Sequence, residues 1–491
     1  MESMRLWAAA TATEGELFWT RPSGPSCDYE VFLNGNRVGT SAVTHFTVAG
    51  LQPETQYSAE VRTGKTAMQV LFETSPVRQR LDVTKAPYFA KGDGKTQNTA
   101  ALQRAFEDCG ADQEVYFPAG VYRTGALDLH SNMAIYLEEN AVLQGSDRPE
   151  DYLPRIHSRF EGVERECYRS LLNAGTLDHK DGANCTNILI YGKGTICGGG
   201  RILAERTIES ERLRLKDYLA ANAALVATCE NDRTIPGRVR GRLINLSNCA
   251  HVRISGLTLQ DGASWNVHMV YSRDIITDHC TLRSAGIWNG DGWDPDSSEN
   301  CMLFASTFFT EDDSVAIKSG KNPEGNQIDR PTRHVYVFDC KGMGGHGICI
   351  GSEMSGGVED VRIWDCDISR SSNGMEIKGT PKRGGYVRNV RVQNSSFPRL
   401  LIHAVPYNDD GIPAPQPPYF EDFSFENMHL TGRRLEHGET ETVPPIEIAG
   451  FSATGHEVRG VRLKDCILPR EAEVKFSRCR MMTLENLQTE E

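Results

Sequence analysis

The sequence predicts an all-β chain in which a small β-sandwich over residues 1–77 precedes a right-handed parallel β-helix, a solenoid, over residues 78–491. Three observations carry that expectation. At 491 residues the chain exceeds what one hydrophobic core usually supports, so it needs two domains, an elongated repeat, or both. Its first part reads as short alternating strands between turns: GELFWT, DYEVFLNG, THFTVAGL, QYSAEVRTG and AMQVLFET. The remainder carries a loose repeat of a V-x-V-like strand, a polar or Cys position and a second apolar strand, as in CAHVRISGLTLQ, SRDIITDHCTLR, ENCMLFASTFF, TRHVYVFDCKGM and VEDVRIWDCDIS. Alternating apolar positions in every unit, with Gly, Asn, Asp and Ser between them, imply strands that stack on copies of themselves.

In the first part, Trp19 lies in an early strand and Tyr29 in the next, and GLQPETQYSAEV places Leu51, Pro53, Thr55 and Tyr57 at a fixed spacing. This segment resembles a fibronectin type III module. It holds no constellation of titratable groups, so a spacer or docking role is expected of it. The solenoid then needs a cap over its open apolar end. TQNTAALQRAFEDCG supplies one, because Leu102, Ala105, Phe106 and Cys109 fall at i, i+3, i+4, i+7. A second helical stretch over 202–227 interrupts the strand repeats. Its charged face suits solvent, and the insert over 202–240 is a candidate wall for one end of a cleft.

The formal net charge is -13 and the basic residues are scattered, which argues against nucleic acid or an anionic membrane as partner. A local basic pocket could still take an acidic sugar. No stretch approaches the roughly 20 apolar residues of a membrane span. The opening MESMRLWAAATATEG is too soon broken for a secretion signal, so a cytoplasmic location is expected, or a secreted one if a signal peptide has been removed. The 14 cysteines form no CxxC pair. Cys249, Cys280, Cys301, Cys340, Cys366 and Cys466 recur just after β-like runs, which suits stacked, reduced, buried side chains better than bridges or zinc.

The chemistry is concentrated in NGDGWDPD around Asp291, EDDSVAIKSG around Asp312 and Asp313, and GGHG at His346. An isolated DD pair is usually a hydrated turn, and a lone His in a Gly-rich turn a surface residue. In this order, on successive repeats, they can instead meet. Cleaving a glycosidic bond needs one protonated carboxyl and one ionised one, and close carboxylates raise each other's proton affinity. Because neighbouring side chains on a regular strand point to opposite faces, Asp312 and Asp313 reach one cleft only if the chain bulges there.

The ordered segments FAKGDGKTQNTAALQRAF, VYFPAGVYRTG, SNMAIYLEENAVLQGS, NGDGWDPDSSEN, EDDSVAIKSG, GHG and MEIKGT resemble glycoside hydrolase family 28, the polygalacturonases and their relatives. GHGICIGSEMSGGVEDV with RGGYVRN looks most like the family's exo-acting bacterial members. The resemblance implies Asp312 as general acid, Asp291 with Asp313 holding and deprotonating the water, and His346 tuning the acid. It also implies Lys378 on the sugar, inversion of configuration, and no metal or other cofactor. Gly290 stands where the family has Thr. Glu376 stands where its substrate-binding Arg is expected, and a Glu repels a carboxylate that an Arg would fork. Arg383 or Arg388 could compensate, or a neutral sugar could lie there. His268, in SWNVHMV, matches a WxxHPV segment and is a candidate substrate contact. Trp293 is either packing or a stacking platform, and Glu353 and Asp294 are candidates for orienting neighbours. The expected function is an inverting, exo-acting hydrolase releasing terminal galacturonate from pectin-derived oligosaccharides. Rivals are a relative acting on a rhamnosyl or other neutral glycoside, a β-helical pectate lyase, and a non-catalytic binding solenoid. A lyase requires Ca²⁺ and a base beside the carboxylate, where this sequence offers an Asp trio with His.

Overall fold

The computed structural model describes residues 4–22, 28–227, 236–406, 411–436 and 438–490. The chain divides into two compact units, Met1–Leu81 with Gly110–Glu114, and Asp82–Cys109 with Val115–Glu491. The first is a small antiparallel sandwich. A three-stranded sheet (Leu6–Ala10, Glu14–Trp19, His45–Ala49) faces a four-stranded one (Asn36–Ser41, Tyr29–Leu33, Gln56–Thr63, Thr66–Glu73). Trp19 and Tyr29 are fully buried and meet edge to face at 5.1 Å. The GLQPETQY segment is a corner in which the Gln52 N–H donates to the Tyr57 hydroxyl at 2.9 Å. That bond accounts for the spacing of Leu51 and Tyr57 read from the sequence.

The second unit is a right-handed parallel β-helix. Among the described residues the coils up to Lys341–Gly342 contribute to three sheets rather than the two strands visible in the repeat, and the later coils to two. The V-x-V runs form the first sheet, with Cys249–Ser255, Arg273–Asp278, Glu299–Phe304, Thr332–Phe338 and Val358–Trp364 pairing in register. The second apolar runs, Thr258–Gln260, Thr281–Arg283 and Thr307–Phe309, form the next. In two coils the two runs fuse into single twelve-residue strands, Tyr386–Phe397 and Tyr419–Leu430. The third sheet has eleven strands and includes Val267–Val270, Trp293–Asp296, Asp313–Ile317, Gly347–Ile350, Gly374–Gly379 and Leu400–Ala404.

The corners explain the polar residues of the repeat. His251, Asp274, Asn300, His334, Asp360, Asn389 and Asp422 occupy one column, and every one has a positive φ between 50° and 62°. Asn and Asp tolerate this left-handed conformation better than other side-chain-bearing residues. Inside, large apolar groups stack coil on coil, with Phe304 on Phe338 at 4.7 Å and Phe338 on Trp364 at 4.4 Å. The described cysteines are all free. Cys280, Cys340, Cys366 and Cys466 follow their strands and set Sγ 3.8–3.9 Å from a carbonyl of the preceding coil. Cys249 and Cys301, by contrast, lie within strands. The helix Thr99–Glu107 buries Leu102, Ala105 and Phe106, as its spacing predicts, with Cys109 buried just beyond it. The stretch expected over 202–227 is three helices, Gly200–Arg214, Lys216–Ala221 and Ala223–Val226. No described helix is long and apolar enough to cross a membrane.

Candidate active site

The site is built on the rim and outer face of the eleven-stranded sheet. Asp291 precedes the strand Trp293–Asp296 in a turn where the Ser284 hydroxyl donates to the Gly290 carbonyl at 2.5 Å. A Cβ at Gly290 would meet the Ile287 carbonyl at 2.5 Å and that of Ser284 at 2.8 Å, which is why Thr has no place in this version of the turn. One coil on, the pairing register slips between Asp313 and Val315, the bulge expected at the DD pair. Both carboxylates thereby reach the same imidazole, with Asp312 3.0 Å and Asp313 3.2 Å from Nδ1 of His346. The His346 N–H donates to the Asp312 carbonyl at 3.0 Å. Gly345, at φ 70°, makes that approach possible, since a Cβ there would lie 2.4 Å from the same oxygen.

Two lysines divide the negative charge. Lys318 Nζ lies 3.0 Å from both Asp291 and Asp294 and 3.8 Å from the centre of the Trp265 ring. Lys378 Nζ lies 3.4 Å from Asp313 and 3.2 Å from Glu376. Glu376 also accepts from Asn373 Nδ2 at 3.0 Å and meets His403 Nε2 at 2.7 Å. The Cys349 thiol donates to Asp313 at 2.9 Å. Lys318, Asn373, Cys349 and His403 were not singled out in the sequence. Lys318 was within reach of sequence reasoning, as it closes the EDDSVAIKSG run. The others become visible only through coil stacking. Ligand atoms of Asp312, Asp313 and His346 lie within 4.8 Å of one another, as do those of Asp313, Cys349 and Glu376. Lys378 already neutralises both carboxylates of the second trio.

The electrostatics separate the carboxyls. Burial opposes charge on Asp312, yet His346 holds it well below the usual carboxylate range. Burial likewise opposes charge on His346, and Asp312 with Asp313 lift it to about 11. The Asp312–His346 pair therefore keeps one proton, carried mainly on the imidazole when the site is empty. Burial raises Asp291 well above its ordinary value, aided by Asp294, Asp312 and Asp313 and resisted by Lys318. Burial raises Asp294 to about 7. One ammonium serving two buried carboxylates leaves that pair holding a proton. Glu376 is held ionised against its burial by Lys378 and His403.

Other expected residues lie elsewhere. His268 is fully buried, 3.4 Å from Asp296 and edge-on to Trp265, with burial holding it neutral down to about 3. Trp293 is also buried, and its indole N–H donates to Thr277, so it is packing. The Glu353 carbonyl accepts the Ser319 N–H at 2.7 Å, and its carboxylate acts on Lys318 through space. Arg383 is committed to the Ser352 carbonyl and Asn322. Arg388 lies on the first sheet, forked to Glu359.

One side of the site is covered. The antiparallel hairpin Ile156–Phe160/Val163–Cys167 lies over outward-facing groups of the earlier coils. Arg159 pairs with Asp296 at 2.7 Å, Phe160 stacks on Trp265 at 5.1 Å, and Arg242 donates to Ser158. Val239 joins this cluster, and the helix Gly200–Arg214 backs it through Glu211 to Arg155. The expected wall over 202–240 is thus a support for the hairpin, and residues 228–235 of it lie outside the described residues.

Comparison with known proteins matches residues 168–400 to Glycosyl hydrolases family 28. An exo-poly-alpha-D-galacturonosidase of Dickeya chrysanthemi is 29% identical over 500 residues, covering 89% of this chain and 81% of that one. A probable polygalacturonase of Vitis vinifera is 32% identical over 320 residues, 62% of this chain and 58% of its own. The family 28 exopolygalacturonase structure of Yersinia enterocolitica has the same fold, with a TM-score of 0.81 at 23% identity, covering 100% of this chain and 97% of that one.

Proposed function

We propose that the chain, whose residues 168–400 match the glycoside hydrolase family 28 model, is a glycoside hydrolase of that family and an inverting exo-polygalacturonase, releasing terminal galacturonate from pectic oligosaccharides. The observation that carries this reading is the convergence of Asp291, Asp312, Asp313 and His346, with the hairpin over 156–167 packed beside them through Arg159 on Asp296 and Phe160 on Trp265. We infer that the hairpin ends the substrate groove, so that a chain end is seated against it. The Dickeya relative's name supports the same mode.

In this mechanism Asp312 protonates the glycosidic oxygen. Its proton comes from His346, so the pair is left one proton short when the bond breaks and takes one back from solvent before the next turnover. Water held by Asp291 and Asp313 attacks the anomeric carbon from the opposite face and gives up its proton to them. Lys318 lies against Asp291 and Asp294, which share a proton, and Lys378 lies against Asp313, so a carboxylate of the water-holding pair is left to take the proton. The free thiols favour the cytoplasmic location expected from the sequence. Product analysis tests the reading: monomer should accumulate from oligogalacturonates with little early loss of polymer viscosity. Rapid viscosity loss would refute exo action, and an unsaturated product absorbing in the ultraviolet would refute hydrolysis.

A further inference from the structure

A hydrogen-bonded chain leads from Glu376 away from the closed end. Asn373 donates Nδ2 to Glu376 at 3.0 Å and accepts on Oδ1 from Nη2 of Arg399 at 2.9 Å. Arg399 immediately precedes the strand Leu400–Ala404, two coils beyond the one that His346 opens. At about 4.8 Å per coil it stands roughly 10 Å further along the groove. That is the side on which the leaving portion of a substrate emerges when the other end is blocked.

The remaining cations near Glu376 are engaged. Lys378 lies between Asp313 and Glu376, Arg383 is bound to Ser352 and Asn322, and Arg434 is paired with Glu436 and Glu441. Among the described residues Arg399 has no ion pair, and its buried Nε has no hydrogen-bond partner. Burial and the charge of Arg434 press against its ionisation, while Glu376, Glu447 and Glu436 favour it through space without pairing to it. It is partly exposed, so a ligand can reach it. With Nη2 held by Asn373 and Nε buried, this guanidinium meets a carboxylate along its partly exposed outer edge.

Resting on the polygalacturonase reading, we propose that Arg399 receives the carboxylate of a uronate on the leaving-group side of the scissile bond. Glu376 then holds that guanidinium in place through Asn373, and the charge expected at 376 is supplied one coil later. The test compares Arg399→Gln and Arg399→Lys with wild type on digalacturonate and on the same disaccharide with its reducing-end carboxyl reduced to an alcohol. A charge-assisted contact predicts that Arg399→Gln loses about 10- to 100-fold in kcat/KM on the diacid and under about 2-fold on the reduced substrate, with partial recovery in Arg399→Lys. Thermal melts of both variants report the fold separately. Equal losses on both substrates, or none on the diacid, would overturn the inference while leaving the hydrolase reading intact. A wild type that cleaves neither disaccharide nor longer galacturonates would overturn both.

Discussion

Lys318 is the side chain on which the charge balance of the site turns. Replacing it by Met leaves Asp291 and Asp294 buried without their ammonium, a change that typically costs about 3–5 kcal/mol. Lys318→Met should therefore melt lower and lose turnover, and adding Asp294→Asn should restore part of the stability. Failure of the double variant to recover would show that the lysine acts through packing on Trp265 instead. Asp312→Asn removes the proton donor and should cut kcat by about 10²- to 10⁴-fold with KM little changed, measured by reducing-sugar release. His268 offers a test by pH. It is held neutral to about 3 in the folded chain, while in the unfolded chain it takes up a proton below about 6.5. The unfolded state thus binds more protons between these values, and stability falls as pH drops through that window, by at most about 1.4 kcal/mol per pH unit. His268→Gln should flatten that part of the melting-temperature profile.

Among the elements, the hairpin over 156–167 is the one with a functional consequence of its own. Replacing it by a short turn should open the groove, and the variant should then lower polymer viscosity early in the reaction, read in a capillary viscometer. Retained monomer release would mean that another element blocks the end. Within the core, Phe338→Ala should cost about 3–5 kcal/mol, because the ring is sandwiched between Phe304 and Trp364. How legible such elements were depended on their period. The V-x-V strands and the capping helix declare themselves by alternation and by i, i+3, i+4 spacing. The site-bearing strands, such as WDPD and GMEIKG, are buried at every position and show no alternation to find. The carboxylates were readable because they cluster in sequence. Their partners Lys318, Asn373, Cys349 and His403, and the hairpin, were not, since those contacts arise only when coils are superposed.

At the scale of the molecule, the described cysteines, free and mostly buried, predict indifference to redox conditions. A reductant should leave the melting temperature unchanged, and of the described cysteines only Cys479, the one that is not buried, should react with a thiol reagent in the native state. Rapid modification of Cys301 or Cys366 would contradict the stacked interior. The column of left-handed corners from His251 to Asp422 fixes where each coil turns, independently of how much chain lies between coils. It works as a ruled margin. Extra text can be written between the lines, as the segments over 156–167 and 433–442 have been, without moving Asp312 against His346. Changes in which chain end is admitted, or which sugar is gripped, can therefore arise by insertion while the bond-breaking groups keep their spacing.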